Sequence, residues 1–210
     1  MSATPVAGYY YPNKMGRIIL LAMEEILGDN GIRAVLNQAG LTQLIHHHPA
    51  NNFDLEFGFD LLGNIQQSLE AMYGQRSGRG LALRSGRACF KYGLREFGPL
   101  LGLSDMAFRM LPLQEKISAG ANIFAETFNR FTDQRVRIGE DDTSLHWIID
   151  RCPVCWGRQA KDPVCHLAVG ILEESLYWVS GGKHFHVEET LCMARGDPTC
   201  TIEISKQPFE

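Results

Sequence analysis

A chain of 210 residues, 45% of them hydrophobic, is long enough to bury one substantial core, and its net charge of −4 with scattered Lys and Arg excludes the basic field that nucleic-acid binding needs. No apolar run reaches the roughly 18 residues of a membrane span, and the N-terminus has no charged stretch leading into an apolar one, so a cytoplasmic protein without membrane span or nucleic-acid partner is expected. In a reducing compartment its six cysteines point to metal ligands or buried thiols rather than disulfides.

In chain order, residues 1–12 read as a flexible N-terminus and residues 13–206 as a single domain. From Asn13 to Leu27 the apolar residues almost encircle a helix that Gly28 can end, so this helix should be largely buried. A short helix is expected over Ile32–Gln38, then a loop holding His46, His47 and His48, then an amphipathic helix over Leu61–Tyr73 that the Gly-punctuated turn "GQRSGRG" closes. Helices follow over Arg87–Phe97 and Leu113–Phe131, the second with Ile117, Phe124, Phe128 and Phe131 at helical spacing. Then the pattern changes. Val136–Ile138 and Leu145–Ile149 read as short strands, "CPVCWGRQAKDP" as a loop, and Val164–Val179 as a helix with Pro163 at its first turn. Phe185–Leu191 and Thr199–Ile204 read as two strands around an "RGDP" turn. The sum is an α+β domain, a helical N-terminal part packed on an antiparallel sheet.

Cys192 and Cys200 lie symmetrically about Gly196, so a hairpin turning there makes them a cross-strand pair with Cβ atoms ~5 Å apart. Such a pair can close a strained disulfide or offer two thiolates to zinc. Glu189 stands three residues before Cys192, and residues so spaced point to opposite faces of a regular strand; if both are ligands, the strand must bend or bulge between them. A further donor can come from Cys165, at the start of an apolar helix where free N–H groups favour a thiolate. It can equally come from Cys152 and Cys155, whose C-x-x-C spacing is the more general metal signal. Spacing does not choose between them, and all six thiols have the alternative of being small buried hydrophobes, the reading given to the isolated Cys89.

The remaining candidates have bland alternatives. His46–His48 sit in a Pro- and Asn-rich loop and read as solvated; His184 and His186 share one strand face; Arg76, Arg79, Arg84 and Arg87 suit either carboxylates or a wet surface. Phe124, Phe128, Phe131, Trp147 and Trp156 can wall an apolar pocket or fill a core. There is no phosphate loop, dinucleotide fingerprint or nucleophile elbow, and no catalytic residue is assigned.

The run "PVCHLAVGILEESL…VEETLCMARGDPTCTIEI" resembles the C-terminal signature of the four-vinyl reductase domain, also called the hydrocarbon-binding domain, over about residues 145–205. That family includes proteins of bacteriochlorophyll biosynthesis, cyanobacterial relatives and the sensor domains of phenol-responsive activators. The resemblance implies a ligand-binding fold shared with nitric-oxide-signalling and Golgi-transport proteins. It also implies a structural Zn²⁺, about one per chain, on Cys165, Glu189, Cys192 and Cys200, a motif spanning 165–200. Cys152 and Cys155 then stand as a second thiol pair. A pocket including Phe124, Phe128, His146 and Trp147 would hold a hydrophobic small molecule. The leading expectation is a non-catalytic protein that holds a chlorophyll-type tetrapyrrole, alongside proteins of pigment biosynthesis or photosystem assembly. The alternatives are a vinyl reductase or its subunit, which would need a partner to bring the hydride, and an aromatic-hydrocarbon sensor domain. A homodimer is expected because family members pair through helices and because the N-terminal helix is too apolar to remain uncovered.

Overall fold

The computed structural model describes residues 8–98, 108 and 110–209. Its elements run β1 (Tyr10–Pro12), α1 (Asn13–Gln38), β2 (Leu55–Gly58), α2 (Phe59–Phe97), α3 (Leu113–Phe131), β3 (Val136–Glu140), β4 (Ser144–Ile149), α4 (His166–Val179), β5 (Phe185–Leu191) and β6 (Cys200–Pro208). β1 and β2 form an antiparallel pair, and the other strands form an antiparallel sheet in the order β3-β4-β6-β5. This is the expected α+β arrangement.

β4 shows why the sheet forms where it does. Leu145, Trp147 and Ile149 alternate inward and are 2%, 2% and 1% exposed, while His146 and Ile148 turn the other way. The turn before it is closed by Asp141, whose Oδ1 accepts the N–H groups of Thr143 and Ser144 at 2.8 Å each and whose Oδ2 meets His146 Nε2 at 3.0 Å. These bonds, the Thr143 N–H foremost, hold the Asp141 carboxyl well below the usual carboxylate range. The sign follows: a depressed folded-state pKa stabilises the turn above the ordinary carboxyl range and is lost as pH falls through the depressed value. Asp141→Asn should therefore loosen the β3–β4 turn at neutral pH and shrink the difference from the parent in acid, read as amide-exchange rates of Thr143 and Ser144 against pH.

Three sequence expectations are corrected. Residues 10–12 are not flexible: they form β1, registered Tyr10 to Gly58 and Tyr11 to Phe57, with the Tyr10 N–H donated to Asp133 at 2.8 Å; residues 1–7 lie outside the described residues. Gly28 takes φ 72° and interrupts α1, yet the helix resumes at once, so the two expected helices are one kinked element. Likewise "GQRSGRG" is not a turn. Only Gly74 leaves helical geometry, at φ 76°, and α2 continues to Phe97 because α1 and α4 pack against it, a case of tertiary packing overriding weak glycine propensity.

The glycines of α2 serve close approach. A Cβ at Gly86 would stand 2.2 Å from the Leu167 carbonyl oxygen of α4, and one at Gly170 would stand 2.1 Å from the Leu83 carbonyl oxygen of α2, so the two helices touch backbone to backbone. Gly170→Val should force them apart at a cost of about 3 kcal/mol, lowering Tm by roughly 6–12 °C. Gly80→Ala, where a Cβ meets open space, should leave Tm unchanged or raise it.

α1 is covered from within the same chain. Ile18, Ile19, Leu20 and Met23 are buried against the rest of the fold, so its apolar surface gives no ground for a dimer. No helix among the described residues is long and apolar enough to cross a membrane.

Candidate metal centre and ligand chamber

The thiols of four segments converge at one end of the sheet. Cys152 and Cys155 come from the loop after β4, Cys165 from the N-cap of α4, Cys192 from the residue after β5, and Cys200 from the first position of β6. Cys165, Glu189, Cys192 and Cys200 place their donor atoms within 4.8 Å of one another, and all four residues are buried. The Cys165 Sγ lies 4.0 Å from that of Cys192 and 3.7 Å from that of Cys200.

The hairpin differs from the symmetric expectation. Cys192 and Cys200 are not registered partners, because Leu191 pairs with Thr201 and Met193–Arg195 form a 3-10 turn. The required irregularity is nonetheless present: the register shifts between Glu189 and Leu191, which lets Glu189 and Cys192 reach the same side. The Cys192 N–H is donated to Asp197 Oδ2 at 2.8 Å, fixing the turn that carries the thiol.

The C-x-x-C pair enters the same cluster. Cys152 Sγ is 3.5 Å from Cys165 Sγ, and Cys155 Sγ is 3.3 Å from Cys200 Sγ; together these four residues form a second tetrad with donor atoms within 4.8 Å. Spacing alone left the choice between the two thiol sources open, and the fold brings both to one place. Their loop is anchored from behind by Arg158, which is bonded to Glu70 of α2 at 2.8 Å and donates to the Val154 and Val164 carbonyls.

The donor set suits a thiophilic divalent ion. Tetrahedral zinc with Zn–S of ~2.3 Å needs sulfurs about 3.8 Å apart, and the Sγ separations of 3.3–4.0 Å bracket that value. Burial, and after it the negative charge on Cys192, pushes the Glu189 carboxyl up to about 8. Hydrogen bonds from Cys155, Cys165 and Cys200 hold the Cys152 thiol well below its usual range, while burial drives Cys165 well above its own. A cluster so divided between favoured and disfavoured thiolates lacks a counter-charge, which a bound cation supplies. The cluster can hold a metal ion.

Above it lies an apolar cavity of about 110 Å³. α1 contributes Ile18 and Ile19, α3 contributes Phe124 and Phe128, β4 contributes Trp147, and α4 contributes Leu167. The rings of Phe124 and Phe128 are 5.1 Å apart, and both lie against Trp147, at 5.4 and 6.0 Å between centroids. The Tyr11 hydroxyl, which donates to Gln134 Oε1, sets one polar pair in this wall. Burial, then the charges of Cys152 and Cys89, pushes the Tyr11 phenol well above its ordinary range, so it remains a donor. Pro153 and Val154, the residues between Cys152 and Cys155, line the cavity, so the metal cluster and the chamber share a wall.

Of the expected pocket residues, Phe124, Phe128 and Trp147 line the cavity; His146 does not, because strand alternation turns it outward to Asp141. Trp156 packs instead on Tyr9 and Phe59, and Phe131 on Phe53 and Phe97. Cys89 is part of the cavity wall. His46, His47 and His48 do not converge: their partners are Asp29 at 3.9 Å, the Ile45 carbonyl at 2.9 Å and Glu24 at 3.2 Å. His186 is exposed and lies 3.2 Å from Glu188, and His184 stacks near Tyr177. Arg79 and Arg87 pair with Asp162 and Glu173, and Arg76 and Arg84 are exposed.

Known structures share this fold. The H-NOX protein of S. oneidensis, described in its Fe(II)NO ligation state, is 12% identical and superposes with a TM-score of 0.57 over 92% of this chain and 99% of its own. The Fe(II) unliganded H-NOX protein of K. algicida is 15% identical, with a TM-score of 0.58 over 93% of this chain and 97% of its own. The phenol-responsive sensory domain of the activator PoxR, 19% identical, reaches a TM-score of 0.49 over 69% of this chain and 72% of its own. No curated protein matches the chain. Residues 145–206 match the family profile of the vinyl-4-reductase domain. From β4 to β6 the chain thus carries the four-vinyl reductase domain that its thiol motif resembles, on an α+β small-ligand-binding fold shared with H-NOX proteins.

Proposed function

We propose that the protein is a non-catalytic module that holds an apolar aromatic ligand in the chamber, stiffened from below by a structural zinc on Cys165, Glu189, Cys192 and Cys200. The carrying observation is the chamber itself, walled by Phe124, Phe128 and Trp147 against one another with the Tyr11–Gln134 pair to orient a guest. A bound zinc here joins the start of α4 to β5 and β6, and so sets the position of Leu167 in the wall.

The ligand on this reading is a chlorophyll-type tetrapyrrole, handled with proteins of pigment synthesis or photosystem assembly. The family resemblance supports it, and so do structural neighbours described by heme distortion in the H-NOX family. The macrocycle is larger than a cavity of about 110 Å³. A second cavity of about 40 Å³ lies next to it, with Phe90, Phe124, Trp147 and Leu172 common to both walls, and rotation of Phe90 and Phe124 would join the two. The volume as it stands favours a second reading, a sensor of monocyclic aromatics, since an engineered cavity of roughly 150 Å³ holds benzene.

Titration with a chlorophyllide and, separately, with phenol, followed by pigment absorbance and tryptophan fluorescence, decides between them. Saturable chlorophyllide binding supports the tetrapyrrole reading; phenol binding alone replaces it with the sensor reading; binding of neither removes both. Conversion of a vinyl group when a reductant is added would make the protein a reductase instead. Pairing of two chains through helices belongs to the same proposal, and light scattering that returned a 23.5 kDa particle at micromolar concentration would exclude it.

A further inference from the structure

A single zinc ion needs four donors, but five thiols and a carboxylate meet here. If one ion takes Cys165, Glu189, Cys192 and Cys200, then Cys152 and Cys155 have no ligand role, although they make the shortest sulfur contacts of the cluster, 3.5 Å to Cys165 and 3.3 Å to Cys200. The donors divide into two complete tetrads, and both contain Cys165 and Cys200, whose Sγ atoms stand 3.7 Å apart. Two four-coordinate ions sharing two ligands need six donors, the number the two tetrads supply between them. A separate observation points the same way. Glu189 is 6% exposed; its Oε2 accepts the Cys165 N–H at 2.7 Å, and its buried Oε1 has no partner, so one carboxylate oxygen is left for a cation.

We propose that the centre is binuclear, with two zinc-class ions bridged by the thiolates of Cys165 and Cys200. Cys152 and Cys155 are terminal ligands of one ion, and Glu189 and Cys192 of the other. The proposal rests on the reading of this cluster as a zinc centre and extends it. A cluster built on inorganic sulfide would hold its cysteine sulfurs farther apart than 3.3–4.0 Å, which favours bare divalent ions. Charge agrees: six ionised donors carry six negative charges, one divalent ion leaves four, and two leave two, while Arg158, the buried cation of the Cys152–Cys155 loop, is already engaged by Glu70. Each ion has its own mechanical task. One pins the loop bearing Pro153 and Val154, and with it the chamber wall; the other pins β5 to β6 and α4.

The full chain, loaded with Zn²⁺ and desalted, should carry about two ions per chain by elemental analysis, and Cys155→Ser and Glu189→Gln should each bring this to about one. Loaded instead with Co²⁺, the bridged pair should show a lower magnetic moment per cobalt at full loading than at half loading. One ion per chain, lost in Glu189→Gln and kept in Cys155→Ser, overturns the second ion and leaves the single zinc reading intact. One ion with the reverse pattern overturns both, since it places the metal on the four cysteines. Two ions whose moments do not couple overturn the bridge, and no ion at all overturns both readings. If Cys155→Ser fails to fold, the zinc content and cobalt moments of the parent still decide.

Discussion

Replacing Cys200 with Ser should empty the metal centre and cost at least about 4 kcal/mol of folding stability, because metal affinity in a structural thiolate site is largely folding free energy. Cys200 is fully buried, opens β6, pairs with Ile149 of β4 and lies within sulfur contact of both Cys155 and Cys165. No other thiol of the cluster sits on a central strand. Its loss therefore releases the α4 start, the Cys152–Cys155 loop and the β5 end together, and the chamber wall with them. Thermal unfolding followed by circular dichroism, with metal content measured on the same sample, should show both falling, and chelation of the parent should reproduce the shift. Cys89→Ser provides the control: Cys89 is buried on the chamber wall and belongs to neither tetrad, so its metal content should equal the parent's. A chelated parent that unfolds at the same temperature as the loaded one would show that packing, not metal, holds this end of the sheet.

What could be read from the chain and what could not divide along a physical line. β4 was legible because its burial is one-sided, so Leu145, Trp147 and Ile149 alternate in the sequence as they do in space. α3 was legible for the corresponding helical reason. The Cys165–Glu189–Cys192–Cys200 set was visible as a motif, and the need for an irregular β5 followed from strand geometry before the register shift at Glu189 was seen. By contrast, α2 is continuous through a stretch whose local preference is for a turn, because α1 and α4 cover it and because its glycines let α4 approach. β1 has three residues, too few for a period, and Tyr11 acquires its place only by pairing with β2 and meeting Gln134, 123 positions away. The meeting of Cys155 with Cys200 is of the same kind, since no spacing rule relates a loop to a strand 45 residues further on. His146 shows the opposite error: proximity in sequence to Trp147 suggested a shared pocket, but neighbours on a strand face apart.

Trp147→Ala and Phe128→Ala should each weaken ligand binding by about 1–3 kcal/mol, roughly 5- to 150-fold in Kd, because each deletes an aromatic wall against which a flat ring is buried. Trp147 is the more exacting case. It is 2% exposed and touches both Phe124 and Phe128, so its truncation also costs folding stability, of the order of 3–5 kcal/mol for a large core aromatic. Binding must therefore be measured well below the unfolding temperature, with chlorophyllide and with phenol as probes. Two further variants separate the effects. Trp156→Ala removes a ring that packs on Tyr9 and Phe59 outside the chamber, and should destabilise the fold without changing Kd. His146→Ala, on the opposite face of β4, should change neither beyond the loss of its contact with Asp141. Zinc content should equal the parent's in all four, since none of these residues lies in either thiol tetrad. If the chamber variants bind both probes as tightly as the parent while their Tm values fall, the rings of Phe128 and Trp147 are core alone and the ligand site lies elsewhere.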